Sequence, residues 1–357
     1  MAGPREQAYR LHNRIAGVPP SNVILDQMQF LIQNNDAQGA AQIAMNNPNF
    51  YSIVLKNWAK TMTNVDANSR VEFNDFTATV IGMIRDNKPF DQVLYADILY
   101  TDNGTSGVTP YARDSNDHYK ELEDNKVNFM TTLQERVQSQ LNGIPDTAGV
   151  FTTRAAAEAY FSAGTNRRVT RFAFMNFLCK DYEELHDITI PDIHVRKDVA
   201  RNPGGDSRTY KNKCVGCHAG QDSMSGAWAY FDFQNDQLEY TLNAVAPKIN
   251  LISNYPEAGN VTNDSFNNMW VTGQNASLGW RGVTSGNGGK ALLQMLSRTR
   301  AFSECMAERA YKLTCLKDPK QQAHLDALDQ FATQFETTDN YNYKTLLAKT
   351  SVLCLGE

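Results

Sequence analysis

Nowhere in its 357 residues does the chain hold eighteen apolar residues in a row, and this excludes a membrane-spanning helix. Nor is there an excess of positive charge. Lys and Arg total 34 against 39 Asp and Glu, a net charge of -5, so the clustered basic surface that grips phosphates is missing and no nucleic-acid partner is expected. The first residues, MAGPREQAYRLHNRIAG, contain no apolar stretch of the kind an export signal needs. Internal repeats and low-complexity segments are absent, and sustained apolar–polar alternation is scarce. The expected fold class is therefore mainly α. With 41% hydrophobic residues the chain can bury a substantial core, and its length fits two or three domains.

Three regions follow from the patterning. Residues 1–145 read as a helical N-terminal region. Ser21, after Pro19 and Pro20, caps an amphipathic stretch containing Val23, Ile24, Met28, Phe30, Leu31 and Ile32. Further helices are predicted over residues 51–62, 74–85 (capped by Asn74 or Asp75) and 118–140. Residues 146–290 read as loop-rich, with helices over 155–160 and 169–178, then a stretch rich in Pro, Asp and Gly, and a short hairpin around 229–240. Residues 291–357 read as a three-helix unit spanning 291–316, 320–335 and 343–353.

Chemistry concentrates in one place. Cys214-Val215-Gly216-Cys217-His218 is a C-x-x-C-H sequence, the attachment signature of c-type haem. The spacing has a reason. Two thiols add across the two vinyl groups on one porphyrin edge, and the following His presents an imidazole nitrogen to the iron. A structural zinc would need four ligands, usually with a second close pair, and no second C-x-x-C and no H-x-x-x-H occurs. A thioredoxin-like redox pair needs a βαβ setting, which the patterning does not provide. One covalent haem c on Cys214, Cys217 and His218 is thus the expected cofactor. Downstream, Trp228, Tyr230, Phe231 and Phe233 offer aromatic surface to shield a porphyrin or to fill a core. The loop Ser285–Lys290 lacks the residues of a phosphate loop and reads as the lead-in to a helix.

The stretch from Cys214 to Asp232, with Arg14 to Pro20, Ile84 to Asp91 and Ser297 to Cys305, resembles exported bacterial cytochrome-c-domain proteins related to the planctomycete-type cytochrome c group. The resemblance covers most of the chain in scattered short patches. It implies a helical, haem-bearing exported protein. Haem attachment of this kind takes place on the far side of the membrane, so the expected location is the periplasm or the cell surface, with numbering that follows a removed signal.

A low-spin electron carrier also needs a second axial ligand, usually Met or His. Met224, six residues past His218, is too close to reach the other haem face. Met269, about fifty residues on, and His118, at a predicted helix start, are the main candidates; His194 is a third, and an open position a fourth. Four cysteines remain. If the C-terminal helices pack up-down-up, the first and third run parallel, and Cys315 and Cys354 close them on the same side. Cys305 and Cys315 are separated by about 15 Å of continuous helix, beyond the roughly 7 Å a disulfide spans. The expected pairs are Cys315–Cys354 and Cys179–Cys305. Electron transfer to a redox partner protein is the leading functional expectation, with peripheral docking at a membrane or surface complex. The alternatives are a haem enzyme, peroxidase-like or oxygen-activating, and a haem-stapled structural subunit.

Overall fold

The computed structural model of the chain describes residues 2–255 and 259–356. Its fold is mainly helical, 54% helix against 7% strand, as the scarcity of alternation implies. The first part contains α1 (Pro4–Ala16), α2 (Asn22–Gln33), α3 (Ala37–Met45), α4 (Lys56–Lys60) and α5 (Asp75–Arg85), then β1 (Ile98–Asp102), α6 (Asp117–Asp124), α7 (Phe129–Thr132), β2 (Leu133–Val137) and α8 (Gln138–Asn142). The middle carries α9 (Arg154–Tyr160), α10 (Arg167–Phe177), α11 (Ser207–Lys213), α12 (Val215–Ser225), β3 (Phe231–Gln234), β4 (Gln237–Tyr240), β5 (Ser265–Asn267) and β6 (Ser285–Asn287). The chain closes with α13 (Gly288–Ser297), α14 (Arg300–Cys315), α15 (Gln322–Thr337) and α16 (Tyr343–Val352).

Local signals set many of these boundaries. Ser21 Oγ accepts the Ile24 amide at the start of α2, and Asn74 does the same for Thr77 at the start of α5. The strands form three separate antiparallel pairs, β1–β2, β3–β4 and β5–β6. The β3–β4 hairpin turns at Asn235 and Asp236, both at positive φ, as a tight two-residue turn requires. The loop before α13 is no phosphate site: the Asp146 carboxylate accepts the Gly289 and Lys290 amides at 2.6 and 3.2 Å and caps that helix.

Two expected helices are broken. The predicted helix over 118–140 ends at Asp124, Lys126 turns to φ 53°, and Leu133–Val137 pairs instead with Ile98–Asp102. The helical propensity of its Gln, Glu and Arg loses there to the strand partner. The predicted helix over 291–316 is two helices, because Thr299 leaves helical geometry and its Oγ caps α14 through the Phe302 amide at 3.1 Å. On α2, Val23 and Phe30 face solvent while Leu25, Met28 and Ile32 are buried.

One apolar cluster runs from Ala8 to Cys354, so all three regions share a core. The C-terminal helices are part of it: α16 packs on α3 and α14, and α1 packs on α14. Arg14 Nη1 reaches the Cys354 carbonyl at 2.8 Å, tying the two ends together. Two disulfides form, Cys179–Cys305 and Cys315–Cys354, with Cα separations of 5.2 and 5.7 Å.

Candidate functional site

The motif opens α12. Cys214 stands at the junction of α11 and α12, and the helix runs from Val215 through Ser225. At about 100° per residue, Cys214, Cys217 and His218 fall on one arc of about 100°, while Gly216 faces the other way. The opposite face is filled. A Cβ on Gly216 would lie 2.5 Å from His186 Nε2, so the imidazole of His186 packs where only Gly leaves room. The Gly216 carbonyl also accepts the Asp187 amide at 3.0 Å. One turn further on, Gly220 leaves the same kind of room for Trp270. The motif helix is thus clamped from behind by the 185–187 loop and by Trp270, and its reactive arc is left facing outward.

Among the six cysteines only Cys214 and Cys217 are free thiols, and both are half-buried. Cys217 Sγ lies 3.4 Å from the Tyr182 carbonyl. Burial pushes its thiol pKa up, and Glu183 adds to the shift, so this sulfur stays protonated at neutral pH. His218 is 27% exposed, and its Nδ1 lies 3.3 and 3.4 Å from the two oxygens of Asp222, one helical turn on. Asp222 is fully buried. Burial alone would raise its pKa. The charge of Arg167 and the hydrogen bonds from His218 and Arg167 outweigh that and hold the carboxyl well below the usual carboxylate range. An ionised Asp222 only accepts hydrogen bonds, so Nδ1 is the ring nitrogen that donates to it, and Nε2 is the one turned away from the carboxylate.

Asp222 is itself anchored. Arg167 grips it through Nε at 2.5 Å and Nη2 at 3.0 Å, and the Arg196 amide donates to it at 2.9 Å. Arg167 also holds Asp198 at 2.6 and 2.7 Å. Buried ionic contacts of this geometry fix orientation more than they add stability. They fix the His218 ring through Asp222.

The residues suit a c-type haem on two counts: two unpaired thiols next to a His on one helical arc, and an imidazole whose outward nitrogen is free. Among the described residues, no group of three or more His, Cys, Asp or Glu is arranged to hold a bare metal ion. A cavity of about 650 Å³ lies among Asn64, Arg70, Glu72, Arg154, Glu158 and Arg168 and shares no residue with the motif.

The other sequence-derived candidates scatter. His118 is buried, with Nδ1 2.6 Å from the Thr109 carbonyl and Nε2 3.1 Å from the Asp102 amide; both nitrogens serve the first region of the fold, and none is left for iron. Met269 is partly buried beside Trp270, which packs on α12, and its sulfur meets the Asn267 amide nitrogen at 3.3 Å. His194 sits at an exposed cavity rim behind Asp222. Trp228 fills the core rather than a porphyrin edge. It is buried against Phe161 and Phe231, and its indole donates to Thr170 Oγ1 at 3.0 Å. Asp222 was not singled out from sequence, although its i+4 spacing from His218 was a readable signal. Arg167, Arg196 and His186 reach the site across 26 to 55 residues with no local pattern to announce them.

No protein-family model, no curated protein and no solved structure matches this chain.

Proposed function

We propose that Cys214 and Cys217 carry one covalent haem c through thioether bonds, that His218 supplies its axial nitrogen, and that the chain passes single electrons to a redox partner outside the cytoplasm. The observation that carries this reading is the division of the cysteines. Four are paired in disulfides, and the two of the C-x-x-C-H sequence stay free, beside an imidazole that already has its far nitrogen tied to a carboxylate. Bound there, a haem supplies a one-electron couple at its iron. His218 is oriented by Asp222, and Asp222 by Arg167, an arrangement that would hold the ring in place for the iron. The clamp of His186 and Trp270 behind α12 keeps both sulfurs and the imidazole on one outward arc. The resemblance to exported cytochrome-c-domain proteins supports the same reading.

Mass spectrometry of denatured protein from a host that matures cytochromes tests it. One added haem is expected, and a bare polypeptide mass would overturn the proposal. A second reading, a haem enzyme, has one observation in its favour: a buried carboxylate on the axial imidazole makes that ligand more electron-donating. A reduced-minus-oxidised spectrum with added CO separates the two. A low-spin spectrum indifferent to CO supports electron transfer, and a high-spin spectrum that shifts with CO supports the enzyme.

A further inference from the structure

Away from the motif, the start of the middle region meets the first region around a polar cavity of about 650 Å³. One wall is α9. Its Ala156, Ala157 and Tyr160 are buried in the core, while Arg154, Ala155, Glu158 and Ala159 line the cavity. The pairs 154/158 and 155/159 are each four residues apart, so a charged row and a row of alanines run side by side on one face of the helix. The alanines leave the room. Residues 63–65 and 70–72, with Asn116, form the facing wall, and Arg168 in the first turn of α10 completes the lining. A volume of this size suits a drug-sized ligand rather than a few waters.

The lining carries three guanidinium groups, of Arg70, Arg154 and Arg168, and two carboxylates, of Glu72 and Glu158. One ion pair forms among them, Arg154 Nη1 to Glu158 at 2.9 Å. Arg168 makes a single long hydrogen bond, 3.3 Å to the Ala159 carbonyl. The Arg70 guanidinium makes none, and neither of these two arginines meets a carboxylate among the described residues. Glu72 accepts from the Asn116 amide at 3.2 Å and, among the described residues, pairs with no cation. These are accessible groups: Arg70 and Glu72 are exposed and Arg168 is half-buried.

The unmatched charges define the complement. Two guanidiniums and one carboxylate call for a ligand with two carboxylates and one ammonium. A simple dianion would satisfy the arginines and be repelled by Glu72. Val65, 47% exposed, and Val71 add apolar surface to the same lining, which suits an aliphatic group on the ligand. A short peptide with an acidic side chain supplies every one of these features: an amino terminus, a side-chain carboxylate, a terminal carboxylate and aliphatic flanks.

We infer that this cavity binds short acidic peptides of about two to four residues, their carboxylates on Arg70 and Arg168 and their amino terminus on Glu72. Arginine takes a carboxylate through two parallel N–H bonds, as Arg171 takes Asp181 at 2.7 and 2.6 Å in this chain. The site shares no residue with Cys214, Cys217 or His218, so it stands or falls apart from the haem reading.

Isothermal titration of the full-length protein with the tripeptide Ala-Ala-Glu tests the inference. One saturable site is expected. The N-acetylated peptide lacks the ammonium and Ala-Ala-Gln lacks one carboxylate; each should bind about fivefold more weakly, the effect of one accessible ion pair. Ala-Ala-Lys should bind at least about tenfold more weakly, because it exchanges an attraction for a repulsion. Arg70→Gln and Glu72→Gln change exposed side chains and spare the core. Each should weaken Ala-Ala-Glu about fivefold, and Glu72→Gln should leave the N-acetylated peptide no weaker than it is in the wild type. Absence of saturable binding would overturn the site. Ala-Ala-Lys or inorganic phosphate binding as tightly as Ala-Ala-Glu would overturn the ligand class, and unchanged affinity in both variants would overturn the assigned location.

Discussion

Between Lys180 and Gly279 many side chains bond to backbone and fix the course of the loops, whereas the C-terminal helices are held by apolar stripes. In the first region Arg201 bonds three carbonyls, those of Val195, Arg196 and Val199. Asn275 and Gln274 bond the carbonyls of Leu185 and His186, and Asn254 bonds that of Asp198. In the second, Leu292, Leu296, Phe302, Met306, Leu346 and Leu347 are buried in a continuous core. The apolar region gains stability from area removed from water. The polar region gains mainly geometry, because each net hydrogen bond contributes only about 1 kcal/mol while fixing a direction. The motif sits in the region built for direction. The two disulfides differ in the same sense: Cys315–Cys354 ties together helices that already pack, while Cys179–Cys305 closes both ends of the loop-rich region.

That contrast can be broken in graded steps. Replacing Cys179 and Cys305 by Ser should cost the most, about 5 kcal/mol in the chain-entropy model for a separation of 126 residues, read by urea unfolding. The same change at Cys315 and Cys354, 39 residues apart, should cost about 4 kcal/mol in that model, and less in practice if packed helices hold their ends together without it. Equal losses for the two pairs would deny the difference between the regions. Arg167→Met leaves Asp222 and Asp198 without their guanidinium and should cost at least roughly 3 kcal/mol.

The pH dependence sharpens the same comparison. Asp222 has a lowered folded-state pKa, so its contribution is fully present above its unfolded value of about 3.9 and is lost as pH falls below that toward the folded value. Stability of the wild type should therefore fall steeply below about pH 4, and the fall should be shallower in Arg167→Met, as followed by circular dichroism. An identical acid profile would count against the buried ion cluster. The smallest effect is a gain: Asp236→Gly, at φ 60° in the β3–β4 turn, should stabilise by about 0.5 kcal/mol, measured as a raised melting temperature.

The helical class and the cap at Ser21 were legible because they depend on period and on one side chain reaching three residues along. The break at Thr299 carried the same local signal, and the apolar pattern running across it obscured it. The strand at Leu133–Val137 was not legible, because Gln, Glu and Arg favour helix until a partner strand competes, and that partner lies more than thirty residues upstream. The C-x-x-C-H spacing can be read directly from the chain. Its support cannot: Arg167 meets Asp222 across 55 residues, and His186 meets Gly216 across a loop whose course depends on many weak polar bonds.

Because Cys179 and Cys305 are joined, everything between them is a closed covalent ring, and Cys214, Cys217 and His218 lie on it. Such a ring can be cut once by a protease anywhere from residue 180 to 304 without releasing an end. The two pieces remain one molecule until the disulfide is reduced. The loops around the motif can therefore be nicked while the motif stays tethered to the helices that carry the rest of the fold.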